Sequence, residues 1–298
     1  MLALLPTGGP DLVSLGELEE PTPARDEALV AVEAFSVNRG ELLKLERGGW
    51  RPGKDVAGRV VRAAADGSGP AAGDRVVGHP PGGGWAERVA VRTDALAPAG
   101  DLAPETAAAL PLAGLTALRL LRAMPSPAGR RLLVTGASGG VGHFVVELAT
   151  GAEITVVSRR PERLLALGAT RAVSDIEEAG GPFDVVLESL GGRSLQAALG
   201  KVVPGGLVLW FGQASRTPAQ LDFFDYFAQT GASLRHFHYE DGPPARDLET
   251  LVRLVSRGAL HPELGVVAGW EHTAAVLADL RERRVTGNAV LTIPENPT

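Results

Sequence analysis

A chain of 298 residues is long enough for about two domains and a large hydrophobic core. Hydrophobic residues make up 45% and charged residues 21%, as in globular proteins, and no apolar run approaches the ~20 residues that span a bilayer, which argues against membrane insertion. With 29 basic against 35 acidic residues the net charge is -6, which disfavours a nucleic-acid surface, and the absence of cysteine removes disulfides and thiolate metal sites.

The opening residues Met1 to Pro6 are apolar but few, with no basic flank and no cleavage pattern, so they read as a first strand of a cytoplasmic protein. Up to about Pro98 the pattern is β-rich: Ala28 to Phe35, Gly58 to Ala64, Arg75 to Gly78 and Ala86 to Val91 are short and β-branched. Glycine and proline clusters at Gly67 to Gly73 and Pro80 to Gly84 mark turns between antiparallel strands of a small barrel or sandwich. From Pro104 to Met124 the periodicity becomes helical, with Ala107, Leu110, Leu115, Leu118 and Leu121 on one face.

That helix leads to a strand, Leu132 to Thr135, followed by Gly136, Gly139 and Gly142 and by helical spacing of Phe144, Val145 and Leu148. Glycines allow a sharp turn and close approach to a pyrophosphate, and a helix start favours an anion; a phosphate-bearing dinucleotide fits there. Strand and helix then alternate: Glu153 to Val157 with Pro161 to Leu167, Phe183 to Leu187 with Arg193 to Leu199, and Leu207 to Phe211 with Leu221 to Gln229. The alternation predicts a doubly wound parallel sheet. Beyond it come a strand at Ala232 to His238, a helix over Ala245 to Arg257 stopped by Gly258, an amphipathic helix over Trp270 to Arg284, and a last strand, Ala289 to Ile293, that returns to the first domain.

Several stretches together resemble the zinc-free quinone oxidoreductase branch of the medium-chain dehydrogenase/reductase superfamily. They are Ser36-Val37-Asn38-Arg39-Gly40-Glu41, Pro52-Gly53-Lys54-Asp55-Val56-Ala57-Gly58, Gly73-Asp74-Arg75-Val76, Ala109 to Ala117, the glycine loop, Leu167-Gly168-Ala169, Phe183 to Gly192, Pro204-Gly205-Gly206 and Gly287-Asn288-Ala289-Val290-Leu291. The resemblance implies an α/β chain made of a GroES-like β-rich catalytic domain, 1–112 and 259–298, and a Rossmann domain, 113–258. It further implies hydride transfer from a nicotinamide cofactor to a quinone or an activated carbon-carbon double bond. Thr116, Leu190-Gly191-Gly192 and Phe211-Gly212-Gln213 match positions on the nicotinamide side, and Asn288 stands where a basic residue is common.

Zinc members of the superfamily carry cysteine in the region of Asn38-Arg39 and Gly-His-Glu where this chain has Gly53-Lys54-Asp55, so both ligand positions are lost and no metal is expected. About 20 residues past the loop, where an NAD-binding fold has an acidic residue, stands Ser158-Arg159-Arg160. A hydroxyl and two guanidiniums suit the 2′-phosphate of NADPH, which is favoured over NADH; the alternative is a pair of solvated arginines ahead of a helix. The cofactor residues are thus Thr116, Gly136, Ser138, Gly139, Gly140, Val141, Gly142, Ser158, Arg159, Arg160, Leu190, Gly191, Gly192, Phe211, Gly212, Gln213 and Asn288.

No nucleophile triad or carboxylate pair emerges, in keeping with chemistry carried by a cofactor. Asn38 and Arg39 are the candidates for orienting substrate, with a structural salt bridge as the alternative for Arg39. Asp55, Glu41 and His143 read as structural, Trp50 and Trp85 as local core or as floor of the substrate site, and His236 and His238 as solvated partners on one strand face. That strand can also pair with its symmetry mate in a homodimer. The competing functions are an enoyl reductase of a biosynthetic pathway and an NADPH-binding sensor or scaffold without turnover.

Overall fold

The computed structural model describes residues 1–239 and 242–294. Strands β1 (Leu2–Pro6), β2 (Val13–Glu17) and β3 (Glu27–Val37) precede helix α1 (Arg39–Arg47), and β4 (Val56–Arg62), β5 (Arg75–Gly78), β6 (Arg88–Arg92) and β7 (Leu96–Pro98) follow. Two helices, α2 (Pro104–Ala108) and α3 (Pro111–Ala123), lead to β8 (Arg131–Thr135), α4 (Gly140–Leu148), β9 (Glu153–Val157), α5 (Glu162–Ala166) and β10 (Arg171–Val173). The rest comprises β11 (Phe183–Glu188), α6 (Arg193–Gly200), β12 (Val202–Trp210), β13 (Ser233–His236), α7 (Ala245–Ser256), β14 (Leu264–Gly269), α8 (Thr273–Arg281) and β15 (Asn288–Thr292).

The described chain forms two compact units, 1–115 with 242–294 and 116–239. In the first, β14-β15-β3-β4-β5-β7 run side by side and β6 also pairs with β3. The long β3 is hydrogen-bonded on both edges, by β4 on one side and by β15 and β6 on the other, which is why it is buried along nearly its whole length. Phe35 stacks on Trp85, ring centroids 5.4 Å apart, inside a core that includes Val30, Val56, Val76 and Leu291. The last strand does return to this unit: β15 is antiparallel to β3, with Val290 opposite Ser36. Contacts also group α7 with the first unit, whereas the sequence limits placed 113–258 in the second.

In the second unit six strands lie in the order β10-β9-β8-β11-β12-β13, every pair parallel. This is the doubly wound order of a Rossmann fold, and the winding reverses between β8 and β11. Leu132, Leu133, Val134, Val186 and Leu187 are fully buried, because both faces of a parallel sheet are covered by its crossovers.

Three expectations need correction. The helical stretch from Pro104 to Met124 is two helices, since Pro111 has no N–H to continue α2 and instead opens α3. Leu221 to Gln229 yields only 3₁₀ turns, Phe223–Gln229, broken at Tyr226; Phe223, Phe224 and Phe227 are exposed and pack edge to face on one another. Finally, β13 stops at His236, which meets Trp210 edge-on, so His238 shares no strand face with it. The brief strands β2, β7, β10 and β14 carry little periodic signal of their own and exist through their partners. Among the described residues no helix is long and apolar enough to cross a membrane.

Candidate functional site

At the switch point of the second unit, β8 ends at Thr135 and the chain turns through Gly136, whose φ of +61° favours glycine. Gly142 is required for another reason: a Cβ there would lie 2.2 Å from the Ala137 carbonyl oxygen, so only glycine lets α4 start this close to the loop. At Gly139 the same construction meets nothing nearer than the Gly136 oxygen at 3.4 Å. Ser138, Gly139, Gly140 and Val141 are half-buried at the start of α4, where peptide N–H groups and the helix dipole favour an anion. Behind them His143 is buried against Phe144, ring centroids 4.2 Å apart.

The loop is tied to its neighbour strands by residues to which the sequence attached no role. Glu188, fully buried at the end of β11, accepts from Thr135 Oγ1 (3.1 Å) and from the backbone N–H groups of Leu190 (2.9 Å) and Gly191 (3.0 Å). Thr135 Oγ1 in turn accepts from the Ser189 N–H, and the Ser189 hydroxyl donates to the Thr135 carbonyl, each at 2.9 Å. The Ser189 carbonyl accepts from Ala214 N and the Leu190 carbonyl from Ser215 N, which draws in the turn of Phe211, Gly212 and Gln213. Thus the ends of β8, β11 and β12 form one interlocked rim, and the N–H groups of Leu190 and Gly191 are already engaged within it. Gly192 follows with a φ of +54° and opens α6. A signal existed in the sequence: a carboxylate closing a parallel strand straight after the apolar run Val185 to Leu187 needs partners.

Ser158 directly follows β9, and its hydroxyl donates to the Arg160 carbonyl and accepts from the Arg160 N–H, both at 3.0 Å. This closes a turn that holds Arg159 and Arg160 exposed beside the strand end. The Ser158 proton is used in the turn, so any anion there would be met by guanidinium groups first.

In the first unit a second constellation centres on Asp55, which is fully buried. Its Oδ2 accepts from Ser36 Oγ (2.6 Å) and Asn38 Nδ2 (2.7 Å), and its Oδ1 from the Leu112 N–H (3.1 Å) and His79 Nδ1 (2.9 Å). Asn38 gives its other amide hydrogen to Ser36 Oγ (3.0 Å), so both are directed inward. Next to it Glu41 accepts from the N–H groups of Asn38 (2.9 Å), Gly53 and Lys54 (both 3.1 Å). Burial, and then the nearby Asp55 charge, push the Glu41 carboxyl from an ordinary 4.5 up to about 8.

The other predicted residues belong to both units. Arg39 opens α1 half-buried, and Thr116 is buried in α3. Asn288 is buried in β15 of the first unit, its amide donating to the Glu263 carbonyl at 3.4 Å. Trp85 is core, with its indole N–H on the Ser36 carbonyl (3.1 Å), whereas Trp50 is half-buried and donates to Pro81 O (3.1 Å). Among the described residues no group of three or more His, Cys, Asp or Glu is arranged to hold a metal ion.

Comparison with known proteins places these parts in a family. Residues 24–101 match the alcohol dehydrogenase GroES-like domain and residues 167–291 the zinc-binding dehydrogenase family. The chain is 34% identical over 203 residues to a chloroplast envelope quinone oxidoreductase homolog of Arabidopsis thaliana, which covers 60% of each chain. It is 33% identical over 263 residues to the spectinabilin polyketide synthase system protein NorB of Streptomyces orinoci, covering 81% of this chain and 12% of that protein. In fold it is similar to a mycobacterial protein solved in complex with NADPH, with a TM-score of 0.87, 23% identity and coverage of 98% and 100%. With a β-rich unit carrying the first match, a six-stranded Rossmann sheet and the quinone oxidoreductase relatives, the chain belongs to the medium-chain dehydrogenase/reductase superfamily as a quinone oxidoreductase-like member.

Proposed function

We propose that this protein is a zinc-independent, NADPH-dependent oxidoreductase that reduces a quinone or an activated carbon-carbon double bond. The glycine turn at the switch point carries the assignment: Gly139 leaves room for a ligand, and the start of α4 faces outward from a rim fixed by Glu188. The residues fit a dinucleotide. Ser138 to Gly142 would receive the pyrophosphate, Arg159 and Arg160 with Ser158 the 2′-phosphate, and Leu190 to Gly192, Phe211 to Gln213 and Thr116 the nicotinamide side. When bound, that cofactor supplies the hydride; the chain binds it, orients it and excludes water.

Catalytic zinc does not fit the residues in hand. Lys54 brings a cation where zinc members have histidine, and Asp55 beside it already accepts four hydrogen bonds. The relationship to the chloroplast quinone oxidoreductase homolog supports the acceptor class. A second reading, reduction of an enoyl thioester in biosynthesis, is favoured by the 33% identity to a polyketide synthase protein across 81% of this chain. A cytoplasmic homodimer paired through the exposed edge strand β13 completes the proposal.

The test is a titration of purified protein with NADPH and with NADH, followed by 9,10-phenanthrenequinone, an enone and an enoyl thioester while the absorbance of reduced cofactor is recorded. Preferential NADPH binding with oxidation by quinone or enone supports the proposal. Oxidation by the thioester alone moves the assignment to the second reading, and no binding of either nucleotide overturns both.

A further inference from the structure

The three most exposed large apolar side chains among the described residues stand on one short segment of the second unit. Phe223, Phe224 and Phe227 keep 75%, 72% and 62% of their exposure, and Leu221 just before them is exposed as well. The rings meet edge to face, with centroids 5.4, 5.5 and 5.6 Å apart. The other side of the segment is tied down. Asp222 accepts from the Phe224 N–H (2.9 Å), the Tyr226 hydroxyl donates to the Gln196 carbonyl (3.3 Å), and the Gln229 amide donates to the Gly200 carbonyl (3.1 Å). The Thr230 carbonyl accepts from the Gly205 N–H (2.9 Å). Three aromatic rings are therefore presented to the outside by a turn that is already fixed, which lowers the ordering cost of packing them against something else.

Soon after Gln229 comes β13, the last strand of the six-stranded sheet. Among the described strands it pairs with β12 alone, and Ser233, Leu234, Arg235 and His236 are all exposed. An open edge takes up another strand, and two identical edges do so antiparallel about a twofold axis normal to the sheet, which keeps both aromatic clusters on one face. A strand this short holds little area by itself. Three phenylalanines of roughly 150–250 Å² each, about two-thirds exposed, add about 400 Å² per copy, so a pair buries about 800 Å² from rings alone, half of a standard ~1,600 Å² interface. Asp222 and Asp225 flank the rings while Arg235 and His236 lie on the strand, so the surface carries both signs and does not repel its own copy. The same two aspartates disfavour an anionic lipid surface.

We propose that Phe223, Phe224 and Phe227 anchor a self-interface of this chain, in which the aromatic cluster of one copy packs on that of a second copy beside paired β13 strands. This rests on the homodimer put forward above and names what holds it together. Strand pairing sets the direction and register of the two copies, and the rings supply the affinity, because a few central aromatic side chains carry most of the binding in an interface of this size. Asp222, Asp225 and Arg235 form its polar rim. Since the anchor is apolar, added salt leaves the association nearly unchanged.

Sedimentation velocity of the purified full chain over a concentration series tests this. The parent is expected to dimerise with a dissociation constant of about micromolar or below. Combining F223S, F224S and F227S should raise that constant at least a hundredfold, and F223S alone about tenfold, with the far-ultraviolet circular dichroism of the parent retained. Photoreactive p-benzoylphenylalanine in place of Phe223 should join two copies on irradiation, a readout that keeps the other rings in place. A triple variant with the parental dissociation constant overturns the inference and leaves the homodimer itself standing, whereas a parent that stays monomeric throughout sinks both. Sedimentation of the parent with vesicles of phosphatidylcholine and phosphatidylglycerol, lost in the triple variant, gives the surface to lipid and overturns it too. If the triple variant fails to fold, the cross-link decides: two joined copies support the inference and none overturns it.

Discussion

Thr135 and Glu188, at the ends of the two strands that flank the switch point, share a hydrogen bond of 3.1 Å in which Glu188 is fully buried. Through that carboxylate the glycine loop and the Leu190-Gly191 turn are held as one piece. In Glu188→Gln one oxygen becomes an amide that donates, and it would face a backbone N–H in place of accepting from it. A buried unsatisfied donor costs about 1–3 kcal/mol, so the unfolding free energy measured in denaturant should fall by that amount and NADPH affinity should weaken in a fluorescence titration. An E188Q protein with both quantities unchanged would remove the rim from the account of the site.

Arg159 and Arg160 stand exposed at the turn closed by Ser158. Replacing both with alanine should raise the NADPH dissociation constant at least tenfold, a loss of ~1.4 kcal/mol, while NADH binding changes little. Calorimetry with the two nucleotides decides it; equal weakening of both counts against a 2′-phosphate site.

Gly142 is the point of closest approach between α4 and its loop, 2.2 Å from a built Cβ to Ala137 O. Backbone cannot move aside as a side chain can, so Gly142→Ala should lower stability by about 1–3 kcal/mol and shift the start of α4. Thermal unfolding and cofactor titration should therefore change together. Gly139→Ala, with only a 3.4 Å neighbour, should leave stability nearly intact and weaken the nucleotide alone.

Glu41 gives the protein a pH signature. Its carboxyl is raised from 4.5 to about 8 by burial and by Asp55, so between those values the folded state holds a proton that the unfolded state releases. The contribution is fully present below pH 4.5 and is lost as pH rises through about 8. Midpoints of thermal unfolding across this window should decline in the parent and flatten in Glu41→Gln, whose remaining oxygen still accepts from Gly53 and Lys54. A slope unchanged by E41Q would assign the dependence to another group.

The sequence alone was sufficient for the central strands and the glycine turn of the Rossmann half, because a buried parallel strand is a continuous apolar run and the glycines announce the turn that follows it. It was sufficient as well for the last strand, whose β-formers precede a proline and pair with β3. Tertiary structure decided the rest. Short strands such as β7 and β14 hold their shape through partners distant in the chain, and the phenylalanines at 223, 224 and 227, though spaced as on one helical face, stand exposed on 3₁₀ turns. The partners of Asp55 lie 17 to 57 residues away, and those of Glu188 include Thr135 at 53, so no local spacing could reveal either cluster. Periodicity records which face of an element is buried; which polar groups meet inside depends on loop closure across the sheet, and that is settled only when the strands take their order.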